Sequence, residues 1–200
     1  MKKTSIISIC IALLFCTLQH SFAQKINTQF GIYETVPLND LRPFSENLSK
    51  FILNQELDTD SPVLGYVSIN NAAYFDSLFT EASTPKMHLM LTKPNKNSSG
   101  SSYAIIALKE EAFIDISDIS KTIPRVGAVE IRFNYKGTKK WAEMTNANTG
   151  KIVAFTVNNE IWSLPMVNAE IRSGVAMIAG IVDEKTAADL SKLLNSAISK

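Results

Sequence analysis

Apolar positions along this chain change period several times, and each change marks an element. Leu41, Phe44, Leu48, Phe51 and Ile52 recur at helical steps, so a core-facing helix is expected from Asn39 onward with Pro43 in its first turn. Ahead of it the periodicity is weak, and Phe30, Ile32 and Tyr33 suggest a strand within an extended lead-in. Val63 to Ile69 reads as a strand, Asn70 or Asn71 as a helix cap, and Tyr74, Phe75, Leu78 and Phe79 as the apolar face of a short helix. Met87 to Leu91 and Tyr103 to Leu108 form two apolar strand candidates joined by a polar stretch from Thr92 to Ser102, which suits an exposed hairpin loop. Ala112 to Ile123 fits a short strand passing into a turn of helix, after which Pro124 and Gly127 mark a boundary.

Beyond Gly127, Val129, Ile131 and Phe133 alternate with Glu130, Arg132 and Asn134 as a half-buried strand does. A helix follows, with Thr138 as its expected cap, Trp141, Met144 and Thr145 on one face, and Gly150 closing the segment. Lys151 to Val157 and Glu160 to Leu164 read as strands joined by a tight turn at Asn158-Asn159, and Pro165 ends the second. Gly174 to Val182 reads as a buried strand, and Asp183 caps a last helix striped by Ala187, Leu190, Leu193, Leu194, Ala197 and Ile198. The pattern predicts an α+β fold of antiparallel or mixed sheets packed against helices. Its organisation is an N-terminal α+β region over 24–126 and a C-terminal unit over 127–200.

The start of the chain has a different character. Lys2 and Lys3 precede an apolar run from Ile6 to Cys16, and Ser21-Phe22-Ala23 offers small residues at the two positions a signal peptidase reads. Residues 1–23 are therefore expected to be a cleavable signal peptide, and the mature chain to be exported, periplasmic or extracellular, with no membrane span of its own. Cleavage would remove Cys10, Cys16 and His20, leaving no cysteine and His88 as the single histidine. Disulfides, thiolate zinc sites and cysteine nucleophiles are then excluded from the mature domain. Of 20 basic residues two lie in the leader, so 18 face 19 acidic ones and the mature formal charge is −1. That balance carries no signal of a nucleic-acid partner, and the densest basic cluster, Lys136, Lys139 and Lys140, reads as a solvated helix start.

Catalytic and metal chemistry finds little support. Asp58-Thr59-Asp60-Ser61 lacks the glycine and distal glutamate of a calcium loop, so no metal site and no cofactor are expected. His88 falls within a strand with no nucleophile-elbow serine in the chain. Ser83-Thr84-Pro85-Lys86 fits an S-x-x-K pattern without its partner motifs. Asp115 with Asp118, and Asp183 with Asp189, have the spacing of turn and cap residues on a wet surface as much as that of paired carboxylates. Trp162 and Trp141 each fit either core packing or a binding surface.

The order of residues from Val129 to Ala197 resembles the head subdomain of the first periplasmic domain of SecD, the Sec translocon accessory protein. Ala128-Val129-Glu130-Ile131-Arg132-Phe133 is similar to that family's opening strand, and Met144 to Lys151 to its Thr-centred helix exit. Asn159-Glu160-Ile161-Trp162-Ser163-Leu164-Pro165 is similar to its turn, strand and proline segment, and Ile171 to Gly180 to its isoleucine and glycine spacing. This chain has no bundle of transmembrane helices such as SecD uses for proton-coupled work, so the resemblance implies a detached head domain and not a translocase motor. The function it implies is an exported, non-catalytic binding module that contacts exported polypeptides or an envelope partner. Trp162, Pro165 and Trp141 are its candidate contact residues. The competing readings are a periplasmic small-ligand-binding protein and an envelope hydrolase using Ser83 or a carboxylate pair.

Overall fold

The computed structural model describes residues 28–37, 61–68, 87–92 and 102–199. The signal segment 1–23, the helices expected over 39–52 and 70–79, Ser83 and nearly all of the 92–102 loop lie outside the described residues. In chain order the described elements are β1 (Phe30–Glu34), β2 (Val63–Ser68), β3 (Met87–Leu91), β4 (Ser102–Lys109), β5 (Ile114–Asp115), a 3-10 turn (Ile116–Asp118) and β6 (Ile119–Arg125). Then come β7 (Ala128–Phe133), α1 (Tyr135–Ala147), β8 (Val153–Val157), β9 (Glu160–Ser163), β10 (Val175–Ala179) and α2 (Glu184–Ile198). The strands form three antiparallel sheets in the orders β5-β1-β8-β9, β10-β7-β6 and β2-β4-β3, which with the two helices is the α+β arrangement expected from the pattern.

The four-stranded sheet is the central wall, and its middle strand shows why. All five residues of β8 are buried, because Val153, Phe155 and Val157 point to one core while Ala154 points to another. The first core is closed by β7 through Val129, Ile131 and Phe133, by α1 through Trp141 and Met144, and by α2 through Ala187, Leu190 and Leu194. The second lies between the wall and the β2-β4-β3 sheet, where Ala154 and Ile161 meet Ile106 and Leu108. The alternate residues of β4, Ile105 and Ala107, join Leu64 and Val67 on that sheet's other face. Asn158 and Asn159, with φ of 51° and 62°, make the left-handed turn that joins β8 to β9.

Several local expectations change. The helix cap is Asn134, not Thr138: its side chain accepts from the Gly137 N–H at 2.9 Å, and Thr138 lies one turn further in. Asn134 also donates to the Ser117 carbonyl at 2.7 Å, a contact from a distant segment that selects it over the threonine. The buried strand expected from Gly174 to Val182 is the shorter β10, an edge strand whose Met177 and Ala179 are exposed while Ala176 and Ile178 are buried. Its apolar run is thus not burial on two faces but one packed face and one bare one. Pro124 lies within β6, and Val126-Gly127 is the turn of the β6–β7 hairpin.

Candidate functional site

Five residues of β1 carry the chain to the foot of a groove. Glu34, at the end of this strand, meets Lys109 from the end of β4 in an ion pair and accepts from the Asn148 side-chain amide at 2.8 Å. Asn148, at the C-cap of α1, is 4% exposed and anchored by a second bond to the Met144 carbonyl at 2.9 Å. Helix, wall and outer sheet therefore meet at one carboxylate. The groove beside it has a volume of about 700 Å³ and is lined by Glu34, Lys109, Asn148, Lys151, Ile152 and Met166 among others. Burial alone would push the Glu34 carboxyl up, but hydrogen bonds from Lys109 and Asn148, with the charges of Lys109 and Lys151, hold it below the usual carboxylate range.

Met166 lines the groove directly after Pro165 in the chain. The Pro165 carbonyl accepts from the Val153 N–H at 3.1 Å and Ile152 bridges Met166, so β9's pairing with β8 continues past the proline that ends the strand. Met166 is 58% exposed, which makes it an apolar side chain the groove presents. Trp162 is half-buried and packs against the first core, and Pro165 is half-buried. Trp141 is a core residue: it is 3% exposed, lies against Phe133 and Phe155, and donates its indole N–H to the Val175 carbonyl at 3.2 Å. It has no surface to offer a partner, and leaves the contact set.

Of the residues weighed for catalysis, His88, Asp118 and Asp183 have structural partners among the described residues. His88 is half-buried in β3, edge-on to the Tyr33 ring at 5.2 Å, and burial lowers its pKa although Glu110 opposes this. Asp118 is not on a wet surface: its side chain is fully buried and its carboxylate takes the Lys140 ammonium at 2.6 Å, the Lys136 ammonium at 3.4 Å and the Asp115 N–H at 3.2 Å. The basic cluster is thus partly a set of counter-ions, and Lys139 lies over the Tyr135 ring at 4.5 Å. Asp183 is the predicted cap of α2, accepting from the Thr186 N–H at 2.8 Å. Among the described residues no three His, Cys, Asp or Glu side chains converge as metal ligands would. Glu34 and Asn148 are 114 positions apart, and no local pattern singles out either.

Comparison with known proteins gives a consistent answer. The family described as SecDF, P1 head subdomain, matches residues 89–198. A protein translocase subunit SecD of Rhodothermus marinus is 37% identical over 68 residues, covering 34% of this chain and 11% of the relative. The SecD subunit of Leptotrichia buccalis is 31% identical over 101 residues, covering 50% of this chain and 24% of the relative. A crystal structure of SecDF in a super-membrane-facing form aligns with a TM-score of 0.47 at 16% identity, over 85% of this chain and 19% of that one. The chain spans between 11% and 24% of the length of these two curated relatives.

Proposed function

This chain belongs to the SecDF P1 head subdomain family, and from that premise we propose that it is an extracytoplasmic, non-catalytic module that holds polypeptide in protein export. The relatives it resembles are named as translocase subunits, and the groove here is lined both from the matched stretch, by Lys109, Asn148 and Met166, and from outside it, by Glu34, Val36 and Pro62. No helix among the described residues is long and apolar enough to cross a membrane. The work that fits such a domain is contact with a passing or docked chain.

The observation that carries the reading is the groove itself, lined by the exposed Met166 side chain and by the charged pair Glu34 and Lys109. A flexible thioether accepts varied apolar side chains, and a polar wall can hydrogen-bond the backbone between them. The same groove favours a second reading, because a volume of about 700 Å³ also fits a small ligand.

A photoreactive residue at Met166, with a control at exposed Lys192 on α2, separates these in the native host. Exported precursors or secretion components captured from position 166 alone are expected. Equal capture at both positions would remove the polypeptide reading, and a thermal shift with small envelope metabolites would then favour the ligand.

A further inference from the structure

The groove beside Glu34 carries more positive charge than negative. Its described lining holds two ammoniums, Lys109 and Lys151, against the single carboxylate of Glu34, a net of +1. Glu34 and Lys109 form an ion pair, and Asn148 donates to the same carboxylate at 2.8 Å, so one of the two cations is already engaged. Lys151 is exposed and acts on Glu34 through its charge, not through a hydrogen bond. The excess charge of the groove is therefore the Lys151 ammonium.

The backbone fixes where that ammonium starts. Gly150, with φ of 81°, turns the chain out of α1 and delivers Lys151 to the groove. The Lys151 N–H donates to the Asn148 carbonyl at 2.9 Å, and its carbonyl accepts from the Val167 N–H at 2.8 Å. Both backbone groups are thus tied, one to the C-cap of α1 and the other to the residue after Met166. The four-carbon stem leaves the charge free to follow a ligand from that fixed point. Val36, Ile152 and Met166 give the same groove apolar surface.

We propose that the groove selects polypeptide segments in which an aspartate or glutamate stands beside an apolar side chain, the carboxylate pairing with Lys151; the inference rests on the polypeptide-holding reading above and names the class of segment held. A single excess positive charge next to a carboxylate matches a monoanion, whereas a phosphate dianion or a nucleic-acid backbone would meet Glu34 as a like charge. A chain held in passing offers side-chain carboxylates along its length and its terminal carboxylate only once, so the side chain is the source assigned. An ion pair to an exposed lysine is worth about fivefold in affinity at most. The charge therefore sorts segments, and apolar contact with Met166 and Ile152 holds them.

Two leucine-serine peptides, blocked at both ends and differing only in carrying glutamate or glutamine at two internal positions, are titrated into the purified chain while NMR follows the Met166 methyl and the Lys151 side chain. A third is the glutamine peptide with its terminal carboxylate free. The glutamate peptide is expected to bind about fivefold more tightly than the blocked glutamine one. That ratio should fall to one at about 1 M salt, where charges are screened within about 3 Å. Lys151→Gln should abolish the ratio and Lys151→Arg should keep it; should either variant fail to fold, the salt dependence of the unmodified chain decides. Equal binding of the two blocked peptides at Met166 would overturn the acidic preference and keep the polypeptide reading, whereas no movement of Met166 with any peptide would overturn both. Tighter binding of the free terminal carboxylate than of the internal glutamates would assign the groove to chain ends and overturn the proposal. So would Overhauser contacts from Met166 to residues 38–60 that no peptide displaces, which would give the groove to the chain itself, or a doubled mass in sedimentation with the same signals shifted, which would give it to a second copy.

Discussion

Glu34 is a carboxylate whose neighbours strengthen its preference for the charged form. Its side chain is 16% exposed, so burial favours the neutral acid, yet Lys109 and Asn148 both donate to it and the balance falls on the charged form. A folded-state pKa below the unfolded one contributes stability above the ordinary carboxylate range and loses it as pH falls through the folded value. Lys109→Met removes the largest of the stabilising partners. An NMR titration of the Glu34 carboxyl is expected to show its pKa rising in that variant. The stability difference between variant and parent should be largest near neutrality and shrink under acid, where the carboxyl is protonated in both. A Glu34 pKa that does not move would mean that Asn148 and Lys151 suffice to hold it.

The start of α1 shows how an element is placed by contacts that its own sequence does not contain. Gly137 donates its N–H to the Asn134 cap, and a Cβ built on it would lie 2.1 Å from the Asp118 carbonyl oxygen, which is itself bonded to the Asn134 N–H at 2.9 Å. Helix propensity alone favours alanine over glycine by about 1 kcal/mol. The close approach of two backbones reverses the sign, and Gly137→Ala is expected to destabilise the protein by about 2 kcal/mol in chemical denaturation. A stabilised variant would show that the turn and the helix can move apart. Alternation gave away β7, and the Asn-Asn pair the β8–β9 turn, because both signals are local. The cap, the burial of Asp118 and the edge position of β10 were not legible, since each depends on how distant segments assemble: Ser117 for Asn134, α1 for Asp118, and pairing with β7 alone among the described strands for β10. The groove was hidden for the same reason, because its lining comes from Glu34, Pro62, Lys109, Asn148 and Met166, far apart in the chain.

At the scale of the molecule the question is how stability is shared between the stretches on either side of the Val126-Gly127 turn. The first core draws Phe30, Ile32, Ile114 and Ile119 from before that turn and Ile131, Trp141, Phe155 and Leu194 from after it. β1 pairs with β8 over five residues, so the earlier stretch supplies a strand to the wall that the later one completes. A core built from both sides cannot lose one without exposing the other. Both tryptophans of the chain, Trp141 and Trp162, lie after the turn and pack in or against this core, which makes their fluorescence a reporter of the later stretch. Ile32, fully buried in β1, is the place to perturb the earlier one. Ile32→Ala is expected to cost about 3 kcal/mol and to shift the tryptophan-reported unfolding midpoint by as much as the midpoint from far-ultraviolet circular dichroism. Coincident shifts would mean one cooperative unit across the turn. A tryptophan transition that stays where it was, while circular dichroism moves, would mean two units that unfold separately, with the β1–β8 pairing as a seam between them.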